Sequence, residues 1–479
     1  MSFASSASQP TAPSSSAPSA PTPSQPDLTF DGLLAQIIAS NSPPALAHTL
    51  RHASPAVLAS GDGPVGLDIV QHTLGVLFIL SARLQAGEPV PEAYIEEFCG
   101  RFDAGQARHA PERVTLLAKG IVQRAEALGN VKFAIAPLYD LLTRYVPDLS
   151  YLTPLHAIFL TACTSVMHPP PLPLLLTPIA NISMTLAPDL TYIDHLTHHY
   201  LAGIALASAK RYAAAAEAFE ICASAPVAST SFRSGAQGAR MGGNVMMNVG
   251  GALGMAMAGP SGSFGGEASA LQLDAAKKLI LVQLILHGQS LPLPKYTHGA
   301  VQNVRNSPYG ALAKAYPKGS ALHAVIGKEE GLFVHDGNAG LLKQALDRAP
   351  RWAIKKLTET YLTLGLREIG RNVGIEDVDE VRRVVLSMIE QGEINASIAA
   401  DGSVTFSDDA PLEVSRADVD RVLRDAQEQE RVLQELEREI ARSKEYLGKA
   451  ARGREEGSVG GAGWPDEELG GNWVEESVF

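Results

Sequence analysis

Residues 377–409 read DVDEVRRVVLSMIEQGEINASIAADGSVTFSDD. Val378, Val381, Val385 and Met388 recur at 3-4-3 spacing, which lines one face of a helix with apolar side chains. Asp377 stands at the N-cap position with Glu380 three residues on, and Gly392 follows the last turn, where a left-handed cap ends a helix. Beyond it Ile394, Ala396 and Ile398 alternate, as do Val404 and Phe406. Asp401-Gly402 between the two runs predicts a type I′ hairpin. A helix followed by a two-stranded wing is a winged-helix arrangement. Such modules bind nucleic acid or another protein.

Charge separates the two readings. The helix carries Glu376, Asp377, Asp379, Glu380 and Glu390 against Arg382 and Arg383, and the wing adds Asp401, Asp408 and Asp409. Phosphate contact needs a basic footprint. An acidic face points to a protein partner, and a net charge of −12 over 479 residues excludes a general nucleic-acid binder.

Downstream, residues 415–450 read as one long helix. Val419, Val422, Ala426, Leu433, Leu436, Ile440 and Leu447 keep a 3-4 rhythm, broken by Gln429 and Ser443, with charged flanks. A narrow apolar seam is a coiled-coil or bundle signature, and it has to be covered by other helices.

Upstream, residues 28–349 read as successive helices punctuated by Pro, Gly and Asn, the clearest being 67–86, 111–128, 151–166, 190–208, 211–224 and 270–287. With 46% hydrophobic and only 6% aromatic residues, this is the composition of helical repeats packed through Ala and Leu. In YLAGIALASAKRYAAAAEAFEICASAP, Gly203 allows two helices to approach, Tyr212 opens the second, Ala215, Phe219 and Cys222 fill the contact, and Pro226 stops it. That spacing is similar to a tetratricopeptide repeat. The expected fold is mostly α: a right-handed solenoid of such repeats, a winged-helix subdomain, and a long C-terminal bundle helix.

The expected boundaries are a disordered Ser/Pro-rich start at 1–27, an N-terminal solenoid at 28–189, further repeats at 190–349, the winged helix at 350–409, the heptad helix at 415–450, and a disordered acidic tail at 451–479. Residues 227–269, rich in Gly and holding Met241, Met246, Met247, Met255 and Met257, read as a flexible insertion. The tail contains Trp464 and Trp473. No basic and apolar leader opens the chain, and the longest greasy run, Thr73 to Leu80, is too short to span a bilayer. Cys99, Cys163 and Cys222 are far apart and suit buried thiols in a reducing compartment.

Catalytic motifs are weak. Gly61, Gly63 and Gly66 fit G-x-G-x-x-G without a preceding strand, and Gly327-Lys328 lacks the upstream glycine of a phosphate loop. His195, His198 and His199 give an i, i+4 pair, but Leu196 occupies the position where a zinc protease has its glutamate. Val166 likewise stands where an isopeptidase motif ending at His168-Pro169 would have its first histidine. The expectation is no catalytic residue, no cofactor and no metal.

The order of parts resembles the PCI family, whose members are scaffold subunits of the proteasome regulatory lid, the COP-nine signalosome and translation initiation factor three. The resemblance covers about residues 190–450. It is carried by KKLTETYLTLGLREIGRNVG (355–374), DEVRRVVLSMIEQGEINASI (379–398) and LILVQLILHGQSLPLPKYT (279–297). Pro294-Lys295-Tyr296-Thr297, and Met388-Ile389-Glu390 leading into Gly392-Glu393-Ile394, bring the chain closer to signalosome members than to the lid or initiation-factor members. Residues 28–189 match only in helical style and in YLTPLHAIFLTAC (151–163), while the insertion and the Ser/Pro start depart from the pattern.

The resemblance implies a non-catalytic role in a complex that removes a ubiquitin-like modifier from the cullins of cullin-RING ligases, with a different, zinc-bearing subunit doing the chemistry. It implies winged helices pairing edge to edge, here through Ile394, Ala396, Ile398, Val404 and Phe406, with the first and eighth subunits as neighbours. It also implies a common bundle of C-terminal helices, here through the seam from Val419 to Leu447. Cytoplasm and nucleus are the expected compartments, and neither nucleic acid nor membrane is an expected partner. A lid or initiation-factor subunit is the neighbouring reading, and a winged-helix nucleic-acid binder is the reading from another class.

Overall fold

The computed structural model describes residues 29–40, 42–60, 66–226, 268–407, 416–444 and 447. Two compact units are present, Met1–Phe406 and Ser407–Phe479. The expected disordered start and tail lie outside the described residues, as does all of the expected insertion but Ala268 and Ser269. So do Gly61 and Gly63.

The first unit opens with helices α1 (Phe30–Ala39), α2 (Pro43–His52), α3 (Pro55–Ala59), α4 (Thr73–Ala86), α5 (Glu92–Arg101), α6 (Ala104–Ala107) and α7 (Pro111–Ala127). It continues through α8 (Ile135–Tyr145), α9 (Pro154–Ser165), α10 (Leu172–Leu176), α11 (Tyr192–Ser208) and α12 (Tyr212–Ser224). After 227–267 come α13 (Ala270–His287), α14 (Gly299–Gln302), α15 (Pro308–Ala315), α16 (Gly319–His335) and α17 (Ala339–Thr358).

Local chemistry sets the boundaries. Proline, which fits the first turn because it lacks only an orphan N–H, opens α2, α3, α7, α9 and α15. Thr191 with Asp194, and Ser269 with Gln272, form capping boxes at α11 and α13. Ser269 is therefore a helix cap, not the end of the insertion. Gly87 and Gly288 close α4 and α13 at φ +79° and +67°.

Helix α4 is buried from Thr73 to Leu84, so the greasy run is a central core helix. No helix among the described residues is long and apolar enough to cross a membrane. In the α11–α12 pair Phe219, Ala215 and Cys222 are fully buried, as the repeat spacing required. A buried polar chain then ties α13 to α15 and α17. Lys278 Nζ donates to Asn338 Oδ1 at 2.7 Å, Asn338 Nδ2 donates to the Tyr309 hydroxyl at 2.7 Å, and that hydroxyl donates to Asp336 at 2.8 Å.

The apolar interior has two parts. One runs from Leu33 to Ala349 through the helical repeats; the other, from Ile354 to Phe406, belongs to the winged helix. That module consists of the end of α17, β1 (Thr363–Gly365), α18 (Leu366–Val373), α19 (Val378–Glu390), β2 (Ala396–Ile398) and β3 (Ser403–Phe406), with strand order β1-β3-β2.

Three local expectations are corrected here. The wing has three strands, because Thr363, Leu364 and Gly365 pair antiparallel with Thr405, Val404 and Ser403. The hairpin turn is not type I′, which needs a positive φ at Asp401. Only Gly402 is left-handed, at φ +83°, and its N–H bonds to Ala399 O at 3.0 Å, the three-residue loop that ends in a glycine bulge. Asp377 caps α19 alone, accepting from Asp379 N, while Glu380 closes no capping box. Gly392 does end the helix as expected: its N–H reaches Ile389 O and that of Glu393 reaches Met388 O.

The second unit holds α20 (Arg416–Arg442), none of whose residues is buried.

Candidate interaction surfaces

The winged helix presents backbone rather than chemistry. Ile394, Val404 and Phe406 are 5%, 0% and 5% exposed, packed on Val381, Val385 and Met388 of α19. Their side chains build the core of the module, so the contact expected at these three positions has no exposed side chain to use. The reason lies in β1. By pairing with β3 it makes β3 the central strand and leaves β1 and β2 as the two border strands. Of the five predicted residues, only Ala396 and Ile398 lie on a strand with one side unpaired among the described residues. Ser397 pairs with Thr405, and Ala399 N bonds to Ser403 O, so by antiparallel alternation the N–H groups of Ala396 and Ile398 point outward.

A polar brace holds the module against the repeats. Arg351 on α17 donates to Glu393 at 3.0 Å, to Gln391 at 2.6 Å and to Ser387, gripping the C-terminal end of α19 and the turn after it. Arg348 adds a second donor to Glu393 at 2.9 Å. Beside them the Trp352 indole donates to Ile285 O at 3.2 Å, and its ring lies so close to Gly288 that a Cβ there would sit 2.5 Å from it. Two features of Gly288, its positive φ and this contact, require glycine. Sequence spacing carried no signal for this brace, because its ionic and polar partners stand 36–45 residues apart.

The acidic reading of the module holds for α19 but not for all of it. Arg367 and Arg371, one helical turn apart on α18, line an open hollow of about 500 Å3 together with Glu376, Leu366, Ile375 and Val378.

The histidines form a buried group. His198 and His199 are 4% and 7% exposed, and His156 of α9, which sequence reading missed, is fully buried. The His156 and His198 rings meet edge to face at 5.4 Å, and His195 and His199 at 4.6 Å. His156 Nδ1 accepts the Thr153 N–H at 3.2 Å and so caps α9. Burial pushes His156 down to about 4 and His199 to about 3, and lowers His198 well below the usual imidazole range, with neighbouring rings adding to the effect at His198 and His199. These rings are neutral at pH 7 and pack as uncharged aromatics. Among the described residues no group of three or more His, Cys, Asp or Glu is placed to hold a metal ion. Cys99, Cys163 and Cys222 are free and buried, and burial pushes their thiols well above the usual range.

The seam of α20 is exposed along its described length. Val419, Val422, Leu433, Leu436 and Ile440 are 51%, 64%, 58%, 51% and 47% exposed, and Leu447 beyond the helix is 54% exposed. Ala426 lies on the same face and is also exposed. Each of the seven predicted residues is therefore exposed.

Residues 63–232 match the profile described as COP9 signalosome complex subunit 3, N-terminal helical repeats, and residues 312–408 match the PCI domain. Over 410 residues, 82% of this chain and 88% of the relative, the sequence is 28% identical to COP9 signalosome complex subunit 3 of Dictyostelium discoideum. Over 376 residues, 72% and 74% of the two chains, it is 28% identical to the protein of the same description from Drosophila melanogaster.

Proposed function

We propose that this chain, which belongs to the COP9 signalosome subunit 3 family, works as a non-catalytic scaffold subunit of that complex. Its partners are the other signalosome subunits. The activity it serves is the complex's removal of a ubiquitin-like modifier from cullins. The observation that carries the reading is the joining on one chain of signalosome-type helical repeats at 63–232 with a PCI domain at 312–408.

Two surfaces support the finer assignments. The outward N–H groups of Ala396 and Ile398 give β2 an unpaired border, and strand addition supplies main-chain hydrogen bonds to a neighbour. The first and eighth subunits are the proposed neighbours there. The α20 seam enters a bundle shared with the other subunits, where apolar burial contributes about 25 cal/mol per Å2 before the cost of association. Cullin-RING ligases are met indirectly, through the assembled complex, in cytoplasm and nucleus.

The test is to delete residues 415–479 and recover the tagged chain from cells. The expected result is loss of the other subunits, with the circular dichroism of the truncated chain still that of a folded helical protein. Stoichiometric recovery of those subunits by the truncated chain would remove the bundle from the assembly. Mass spectrometry of what the intact chain brings down distinguishes the signalosome from the proteasome lid and the initiation factor.

A further inference from the structure

The charges on α20 are sorted by face, and the sorting describes what covers the seam. With Val419, Ala426, Leu433 and Ile440 in one core row and Val422, Gln429 and Leu436 in the other, the positions bordering the seam are Asp418, Leu423, Asp425, Glu430, Val432, Glu437 and Glu439. Between 418 and 439 this border holds acids and aliphatics and no base. The arginines Arg421, Arg424, Arg431, Arg438 and Arg442 all lie on the far side, and basic residues reach the border only at its ends, Arg416 and Lys444.

Among the described residues the helix neutralises its border only at Asp418. Its ion pairs among the described residues join Arg421 to Asp418 at 2.9 Å and Arg431 to Glu428 at 2.5 Å. Among the described residues Asp425, Glu437 and Glu439 enter no ion pair, and Glu430 accepts only from the Gln434 amide at 3.2 Å. All four are exposed.

We propose that the seam is covered by an amphipathic helix of a different polypeptide whose apolar stripe is bordered by Lys and Arg. This rests on the assembly reading above and adds the chemistry of the partner. Charge complementarity at the border positions selects partner and orientation in packed helices. A second copy of this chain does not supply it. Laid antiparallel, two copies set acid against acid; laid parallel, they oppose Asp425 to Glu430 and gain only Glu439 with Lys444.

The experiment uses the full chain, expressed with its complex, in three versions. The border set is Asp425→Lys, Glu430→Lys and Glu437→Lys; the far-side set is Arg424→Glu, Arg431→Glu and Arg438→Glu; the seam set is Leu433→Asp and Leu436→Asp. Circular dichroism confirms that each remains helical. The border set is expected to lower recovery of the other subunits on the order of tenfold at about 50 mM salt, with the deficit shrinking at about 500 mM. The far-side set is expected to match the unaltered chain. If the border set assembles normally while the seam set does not, the seam docks without regard to charge and this proposal fails, the assembly reading standing. Normal assembly by the seam set as well overturns both. A purified chain that sediments as a dimer and becomes a monomer in the seam set identifies a second copy as the occupant and overturns the proposal.

Discussion

Gly203 of α11 sits directly against the Phe219 ring of α12: a Cβ at position 203 would lie 2.6 Å from the ring. Phe219 is fully buried, so neither partner can move aside without opening the packing of the two helices. Gly203→Ala is expected to destabilise the chain by about 1–3 kcal/mol and Phe219→Ala by about 3–5 kcal/mol. Removing the ring makes room for the methyl group, so the double variant should cost less than the sum. Urea unfolding of the four chains measures this coupling; strict additivity would mean that the two residues do not share the contact.

The buried histidines make stability depend on pH. His156 is pushed down to about 4 and His199 to about 3. An unfolded histidine titrates near about 6.5, so below that pH the unfolded chain takes up protons that the folded chain refuses. Stability is therefore lost as pH falls from about 6.5 towards about 4, at up to about 1.4 kcal/mol per pH unit for each such ring. Urea midpoints at pH 7 and pH 5 read the loss. His156→Gln, which keeps a side chain able to cap α9, is expected to flatten the profile. An unchanged slope in that variant would assign the loss to other groups.

Ala396→Pro removes one outward N–H from β2 at its first residue, where proline is tolerated because no bond within the sheet is lost. The winged helix should keep its fold by circular dichroism while the neighbouring subunit at this border is released first from the complex. Native mass spectrometry of complexes in rising salt detects that order. Retention of every neighbour with wild-type resistance would place the contact elsewhere.

Arg351 holds Glu393, Gln391 and Ser387 with a side chain only 20% exposed. Arg351→Ala leaves Glu393 with Arg348 alone and is expected to cost about 1–3 kcal/mol. Hydrogen exchange should speed up in 387–394 while α4 keeps its protection. Uniform exchange changes across the chain would instead mark a global loss of stability.

What was legible in the sequence was periodic. The stripe Val381, Val385, Met388 and the seam Val419 to Ile440 announce themselves because helical packing repeats every three or four residues. Gly203 and Phe219 were legible because small and large residues alternate across a helical pair. Strand β1 was not: Thr363, Leu364 and Gly365 are too few to show alternation, and they are extended because β3 offers them partners 38–42 residues away. The same holds for His156, whose ring meets His198 only after the chain has folded back from α9 to α11. The turn at Gly402 kept its glycine but not its type, since an Asp-Gly pair fits either loop.

The position of β3 has a further consequence. A ribbon whose last strand lies in the middle has two borders without a partner strand among the described residues, β1 on one flank and β2 on the other. A module of that build has room for a neighbour on each side, so it suits a link inside a row of like modules better than a terminus.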